Sequence, residues 1–391
     1  MVYYDFKGKK LSTLGYGGMR LPTSDSKGRV VDEKEAAKLI DYAYQSGVNF
    51  FDTAFFYHAG TSEMNMGKIL SKYPRDTWYL ADKLPGNFIE IVDGKIFMDI
   101  EFMGMKHTFN TPKEIFEYQL KNAGVDYFDF YMLHNVAEST YDLYTDEKVG
   151  ILACLLEEKK NGRIKHIGFS THGRYETIEK YLDTYDCFEF ILMQLNYLDW
   201  TMQEAGRKYD IITKHNIPIF VMEPVRGGKL AKMEGDGLDI LKASKPDDSA
   251  ARWAFRFLQS LPNVAVVVSG MSTMEQVVEN IEIFKTKEVL TDAEKEVLKK
   301  VVDNMASFVP CTTCRYCCDS CPKDLDIPML IATYNEAANE FGWYVNDVMD
   351  TLSDAEKPSA CIACGACSPK CPQDIDIPDV LSKFDVLLKS K

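Results

Sequence analysis

Residues 49–57 read Asn-Phe-Phe-Asp-Thr-Ala-Phe-Phe-Tyr. The segment begins as an apolar strand and then presents a carboxylate, Asp52, and a phenol, Tyr57, in the loop that follows. A short apolar run of this kind is typical of a strand that is buried on both faces of a parallel sheet. In such a sheet, ionisable side chains that follow a strand mark the edge at which a site is built.

Two later strands end in the same way. The predicted strand at 77–82 leads into Lys83, and the predicted strand at 128–133 leads into His134. With the first segment, this places four ionisable groups at the exits of three successive strands. The pattern predicts a (β/α)8 TIM barrel with an active site at the carboxyl ends of its strands.

Strands and helices alternate along the first 285 residues, as they do around a parallel sheet. The eight predicted strands lie near residues 14–18, 48–51, 77–82, 128–133, 164–169, 190–195, 217–222 and 264–268. The helical patterns after the second strand lie at about 61–72, 112–123, 147–161, 173–184, 199–215, 248–260 and 273–285. The first strand lacks the G-x-G-x-x-G fingerprint of a dinucleotide-binding doubly wound sheet, which favours the barrel.

The four ionisable residues suit carbonyl reduction, because the oxygen that becomes negative needs a proton. Tyr57 is the predicted acid/base, and a nearby ammonium, Lys83, would lower the pKa of a phenol that is ordinarily about 10. Asp52 would hold Lys83 charged, and a neutral His134 would orient the substrate oxygen. The alternative interpretation is a purely structural ion pair in the barrel mouth.

These four residues, in their order and setting, resemble the catalytic tetrad of the aldo/keto reductases. Ser62-Glu63 and Gly67 also match the family's pattern after the tyrosine, and the resemblance runs from about Leu11 to Asn280. It implies an oxidoreductase for a small carbonyl or alcohol substrate, with an extended NAD(P)H cofactor held without a glycine-rich loop.

The resemblance also implies the cofactor contacts. Ser170 and Gln194 would bind the nicotinamide carboxamide, and Glu279 with Asn280 would meet the adenine. A helix start after a glycine loop is a natural anion site. The remaining contacts implied at the strand ends are Glu223, Arg226, Ser269, Gly270, Ser272 and Thr273.

Three departures from the family pattern concern this cofactor. Thr171 stands where Asn usually follows the serine, and Met222 stands where many members stack an aromatic ring on the nicotinamide. Residues 270–276 contain no cation for a 2′-phosphate, which favours NADH over NADPH. The departures also keep open an electron-transfer protein that uses flavin, or reduces its substrate directly, without nicotinamide.

The connection between Lys83 and Pro112 is 28 residues long, against about 2–6 for an ordinary βα loop. Residues 88–92 and 95–102 flank Asp93-Gly94 and predict a hairpin. Since the insertion, at about 86–110, leaves the carboxyl end of the third strand, we expect a lid or pocket wall over the site.

The last part of the chain carries two cysteine runs, each with the spacing C-x2-C-x2-C-x3-C-P. In ferredoxins this run gives three thiolates to one [4Fe–4S] cluster and the fourth to the other. One predicted ligand set is Cys311, Cys314, Cys317 and Cys371, and the other is Cys361, Cys364, Cys367 and Cys321. Zinc is the alternative for four thiolates, but two complete runs with the trailing proline favour iron–sulfur.

These patterns predict three parts: a barrel at 1–290, a connecting helix at 291–306, and a two-cluster domain at 307–391. The helical pattern at 328–351, between the cysteine runs, resembles the α-helical ferredoxins. The combination resembles a subgroup of aldo/keto reductase-like proteins with a ferredoxin domain. The clusters would be auxiliary or would relay electrons, for example from a ferredoxin or flavodoxin.

Composition excludes several other classes of protein. A net charge of −14 argues against nucleic-acid binding, which needs a basic surface. No apolar run approaches the roughly 20 residues needed to cross a bilayer, and the first residues lack the apolar core of a secretion signal. We therefore expect a cytoplasmic protein.

Overall fold

The computed structural model describes residues 1–25, 28–102, 105–305, 309, 311, 315–339, 342–371 and 373–390. Eight parallel strands close into a barrel in the order β10-β11-β12-β13-β3-β4-β5-β9. They are β3 (Leu14–Gly17), β4 (Phe50–Asp52), β5 (Tyr79–Leu84), β9 (Phe128–Leu133), β10 (Ile164–Thr171), β11 (Phe190–Gln194), β12 (Ile219–Met222) and β13 (Val264–Ser269). The predicted barrel is therefore confirmed.

The helices of the first 283 residues lie between these strands. They are α1 (Glu33–Gln45), α2 (Ser62–Leu70), α3 (Pro112–Ala123), α4 (Tyr141–Thr145), α5 (Ile151–Lys160), α6 (Tyr175–Thr184), α7 (Asp199–Met202), α8 (Ala205–Lys214), α9 (Asp236–Ser244), α10 (Ala250–Gln259) and α11 (Met274–Ile283). One predicted helix, 199–215, is in fact two. Glu204 between them has φ +50, a left-handed conformation that ends the first helix.

The barrel interior is filled by apolar side chains from alternate positions of its strands, among them Phe50, Phe130, Phe190 and Phe220. The hairpin β1 (Tyr3–Phe6) and β2 (Lys9–Ser12) adds Phe6 to this core, with its ring centre 5.3 Å from that of Phe130. A filled interior leaves the loops at the carboxyl ends of the strands as the place for a site.

Helix α2 approaches helix α3 very closely. A methyl group added at Gly67 would lie 1.8 Å from the carbonyl oxygen of Ala123. Helix α3 ends at that point, where Gly124 adopts the left-handed conformation with φ +64. The glycine of α2 is therefore required by packing.

The insertion after β5 is a three-stranded antiparallel sheet rather than a hairpin. It comprises β6 (Glu90–Val92), β7 (Lys95–Phe102) and β8 (Met105–Phe109). The predicted turn at Asp93-Gly94 is confirmed, with φ +52 and +72. The third strand, which was not predicted, pairs with β7 through the register Met98↔Phe109 to Phe102↔Met105.

Residues after the barrel form α12 (Asp292–Met305), α13 (Ile327–Asn339), α14 (Trp343–Asp350) and α15 (Ile377–Lys389). The predicted helix at 328–351 is thus two helices. By contacts, the chain separates into two compact units. One is Met1–Tyr197, Ala205–Met233 and Asp247–Lys295, and the other is Leu198–Glu204, Glu234–Pro246 and Glu296–Lys391. Of the helices in the described ranges, none has both the length and the apolar character to cross a bilayer.

Candidate functional site

A buried ion pair lies at the carboxyl ends of β4 and β5. Lys83 Nζ is 2.8 Å from both carboxylate oxygens of Asp52 and 2.6 Å from the carbonyl oxygen of Thr53. Lys83 is only 1% exposed and Asp52 4%. Strand pairing explains the contact, because Asp52 is in register with Ala81, two residues before Lys83.

Tyr57 and His134 lie beside this pair and are partly exposed. Lys83 Nζ is 4.9 Å from the centre of the Tyr57 ring, and the ring centres of Tyr57 and His134 are 6.4 Å apart. The backbone N–H of His134 donates to the carbonyl of Leu84 on β5. The structure thus brings together all four residues of the predicted tetrad, with the ion pair covered and the phenol and imidazole open.

Burial and charge set the protonation of these groups. Burial raises the pKa of the Tyr57 phenol above its ordinary value, and the direct interaction with the Lys83 ammonium only partly offsets this. Burial, together with the charge of Lys83, holds the pKa of His134 well below its ordinary value. Although burial favours the neutral amine, Asp52 keeps the pKa of Lys83 raised. The site therefore offers a protonated phenol, a neutral imidazole and a charged ammonium.

The insertion packs on the residues that precede Tyr57. The ring of Phe55 contacts that of Phe109, and the ring of Phe56 contacts that of Phe88. Phe88 is nevertheless 49% exposed. The insertion therefore adds an apolar surface next to the segment that carries the phenol.

Gln194 is the last residue of β11 and Ser170 the last but one of β10, as the strand-end pattern predicts. Ser170 is buried, and its Oγ accepts the backbone N–H of Asn135, the residue after His134, at 2.9 Å. Gln194 forms a hydrogen bond with His172. Both predicted carboxamide contacts thus lie on strands that follow β9 around the barrel.

Glu223 and Arg226 lie in the turn that follows β12. The Glu223 carboxylate accepts the N–H of Gly227, and Arg226 is only 6% exposed. Arg20 is an exposed cation at this edge that sequence reasoning missed. Methyl groups added at Gly227 and Gly270 would lie 3.3 Å and 3.0 Å from its side chain.

The loop after β13 is closed by local hydrogen bonds. Ser269 Oγ accepts from the Asn280 amide at 3.1 Å, and the Ser272 hydroxyl donates to the carbonyl of Arg20 at 2.8 Å. Thr273 caps helix α11. Gly270 has the Arg20 side chain against it. The Asn280 amide is therefore already hydrogen-bonded to Ser269, at the end of β13.

Glu279 lines a cavity of about 630 Å³ between the start of α10 and helix α11. The lining is strongly acidic, with Arg252 as its cation, and its carboxylates are Asp247, Asp248, Glu275, Glu279 and Glu282. Arg252 is itself paired with Glu288. An anionic group is thus disfavoured in this cavity.

Seven of the eight predicted cluster cysteines are described, and they line two cavities in the predicted grouping. Cys321 lines one cavity with Cys361, Cys364 and Cys367, which come from the other run. This exchange of the fourth cysteine is what the ferredoxin spacing predicts.

The cysteines that line the other cavity are Cys311, Cys317 and Cys371. Cys314 lies outside the described residues. None of the cysteines that the structure describes is in a disulfide bond. Within the described ranges, no three His, Cys, Asp or Glu side chains converge as a single metal ion requires. Two cysteine runs that each have the ferredoxin spacing, with the fourth cysteine exchanged between them, fit a cluster better than a zinc ion.

Comparisons with known proteins follow this division of the chain. Residues 13–303 match the model of the aldo/keto reductase family, and residues 310–376 match that of a 4Fe-4S dicluster domain. An uncharacterized oxidoreductase of Bacillus subtilis is 26% identical over 74% of this chain and 92% of its own length. A probable aldo-keto reductase of Glycine max is 32% identical, over 42% of each chain.

Among solved structures, the holo form of an aldo-keto reductase of Bacillus halodurans is similar, with a TM-score of 0.59 and 27% identity. The match covers 75% of this chain and 93% of that one. The NADH-specific methylglyoxal reductase of Escherichia coli is 23% identical over 75% of this chain and 95% of its own length.

Proposed function

This chain belongs to the aldo/keto reductase family, and we propose that it reduces the carbonyl group of a small molecule, or oxidises the corresponding alcohol. A nicotinamide cofactor would supply or accept the hydride. The chain is an oxidoreductase that also carries a 4Fe-4S dicluster domain at residues 310–376.

The observation that carries the proposal is the covered Lys83–Asp52 pair beneath a partly exposed phenol. In the reductive direction, Tyr57 gives its proton to the oxygen of the substrate as negative charge develops there. Lys83 stabilises the phenolate that remains, and Asp52 fixes Lys83 in place. The neutral His134 donates a hydrogen bond that orients the same oxygen.

The cofactor that fits best is NADH. The acidic cavity beside Glu279 would repel the 2′-phosphate of NADPH, and residues 270–276 offer no cation to bind it. Arg20, between two glycine loops, is the proposed counter-ion for the pyrophosphate. Ser170 and Gln194 are proposed for the carboxamide. The named activity of the similar Escherichia coli reductase agrees with this preference.

The two cysteine sets are proposed to bind one [4Fe–4S] cluster each. Such clusters accept one electron at a time, whereas a hydride carries two, so their role is auxiliary or that of an electron relay. A relay would need a carrier such as a ferredoxin or flavodoxin. Both reduced carriers and reducing conditions belong to the cytoplasm, where we place the protein.

Titration of the anaerobic, full-length protein with NADH and with NADPH tests the cofactor. We expect intrinsic fluorescence to be quenched at a lower concentration of NADH than of NADPH. Arg20→Ala should weaken both, with Arg29→Ala as the surface control. A flavin absorption spectrum in the purified protein, with no response to either nucleotide, would instead support the electron-transfer alternative.

A further inference from the structure

Two carboxyl groups lie buried directly behind Lys83. Side chains alternate along a strand, so while Lys83 faces the site, Asp82 faces the helices around the barrel. There it meets Glu63 of α2, and each carboxyl acts on the pKa of the other. Asp82 is 0% exposed and Glu63 1%. In the described part of the chain, neither forms a salt bridge with Lys, Arg or His.

The hydrogen bonds of the two carboxyls are unequal. Glu63 accepts from the Gln119 amide at 2.8 Å on one oxygen and from the Asn122 amide at 2.7 Å on the other. Asp82 Oδ1 accepts the backbone N–H of Lys83 at 2.8 Å. Asp82 Oδ2 is buried, and no described residue donates to it. The donors around Glu63 therefore suit an ionised carboxylate, whereas no described donor reaches Asp82 Oδ2.

We propose that Asp82 carries a proton on Oδ2, which it shares with Glu63, and that this acid pair positions Lys83 relative to the loop of Tyr57. Two ionised carboxylates cannot lie together in a buried site when neither is paired with a cation, so one of them keeps its proton. The free oxygen assigns that proton to Asp82. Burial and the charge of Glu63 raise the pKa of the Asp82 carboxyl well above its ordinary value.

The hydrogen bonds around the acid pair extend to Lys83 and to the loop that carries Tyr57. The Gln119 amide also donates to the backbone carbonyl of Lys83 at 3.0 Å, while its oxygen accepts from the Tyr131 hydroxyl at 2.5 Å. The Asn122 amide also donates to the carbonyl of Gly60, three residues after Tyr57, at 3.3 Å.

The backbone N–H and the backbone carbonyl of Lys83 are therefore both hydrogen-bonded within this network. The network also forms a hydrogen bond with the loop that carries the Tyr57 phenol. The other titratable groups that interact electrostatically with the pair are Lys83 on β5, Tyr131 on β9 and Tyr118 on α3. The positioning role rests on the proposed function of Lys83. The proposal that Asp82 and Glu63 share a proton does not depend on that function.

Infrared spectroscopy of the full-length anaerobic protein tests the proton. At neutral pH we expect a carbonyl-stretch band of a protonated carboxylic acid that disappears in Asp82→Asn and persists in the control Asp5→Asn. If Asp82→Asn loses no such band, the proposal is overturned. Because the band does not depend on turnover, it remains informative even if no carbonyl substrate is reduced.

The variant series tests the positioning role. Asp82→Asn is isosteric with the protonated acid, and its amide donates to Glu63, so we expect turnover within about threefold of the parent. Asp82→Leu leaves Glu63 without that donor, and we expect at least a tenfold loss. Equal losses in the two variants would contradict the role.

If Asp82→Leu fails to fold, unfolding of Asp82→Asn decides. Above the usual carboxyl pKa, the unfolding equilibrium constant of the parent should increase tenfold per pH unit from this group, because the parent gives up the proton on unfolding. Asp82→Asn has no such proton, so this increase should be absent from its unfolding equilibrium constant. An unchanged pH dependence would overturn the proposal.

Discussion

Lys83 Nζ lies 2.8 Å from each carboxylate oxygen of Asp52, and neither residue is more than 4% exposed. A pair covered in this way carries its charges at a large desolvation cost, which only close contact offsets. Its net effect on stability is therefore small, but the cost of breaking it is large. The pair keeps a positive charge next to the Tyr57 phenol at neutral pH.

Removing one member of the pair should be more costly than removing both. Lys83→Met leaves the Asp52 carboxylate buried and unpaired, and we expect a loss of about 3–5 kcal/mol in the free energy of unfolding. The double variant Lys83→Met with Asp52→Leu should recover part of this loss. Urea unfolding followed by circular dichroism measures both. Lys10→Met, which breaks an exposed pair with Asp5, is the control that should leave stability unchanged.

Acidification should destabilise the protein through two histidines whose pKa values are lowered in the folded state. Burial lowers the pKa of His172 to about 4 and that of His134 well below its ordinary value, whereas the unfolded chain binds a proton at each near pH 6.5. Stability from each histidine is fully present above pH 6.5 and falls by about 1.4 kcal/mol per pH unit as the pH drops. His172→Gln should reduce that slope between pH 6.5 and 5. An unchanged slope would contradict the burial argument.

Helix propensity and packing predict opposite effects at Gly67. Alanine is the better helix former by about 1 kcal/mol, but its methyl group would lie 1.8 Å from the Ala123 carbonyl. Because backbone cannot move away cheaply, we expect Gly67→Ala to lower the free energy of unfolding by about 1–3 kcal/mol. Met64→Ala, at an exposed position of the same helix, is the control. A stabilised Gly67→Ala variant would show that the two helices are not in contact.

Each proposed cluster takes its fourth cysteine from the other run, so a substitution at that cysteine should impair a cluster that can be identified in advance. Cys321→Ser should impair the cluster whose other ligands come from the second run, and Cys371→Ser should impair the other one. Iron content and electron paramagnetic resonance of the reduced protein measure the two losses separately. Cys318→Ser, outside both sets, should keep both signals. Loss of the same signal in Cys321→Ser as in Cys311→Ser would contradict the assignment.

Local pattern was sufficient to predict the barrel, because its strands and helices alternate regularly along the sequence. The residues proposed for the tetrad and for the clusters come from the same kind of pattern, namely strand ends and fixed spacing. It did not find β8, whose polar residues Lys106, His107 and Thr108 give no clear strand signal. It also missed α9 and the break at Glu204, where a left-handed backbone at a non-glycine residue overrides the helical pattern.

Contacts between distant parts of the chain were beyond sequence reasoning. Arg20 reaches the loops at Gly227 and Gly270 only because β3 closes the barrel against β13. Asp82 and Glu63 meet because one side chain of β5 turns outward to α2. Neither spacing nor composition indicates such pairs, so the charge at the cofactor edge and the acid pair emerge only from the folded chain.

The turnover of Tyr57→Phe, with NADH and a small aldehyde under anaerobic conditions, tests the central claim most directly. Loss of the phenolic proton should lower kcat by about 10²–10⁴-fold while the Kd for NADH stays within about threefold, and Tyr42→Phe should behave as the parent. A Tyr57→Phe variant that retains the parent's kcat would contradict the account.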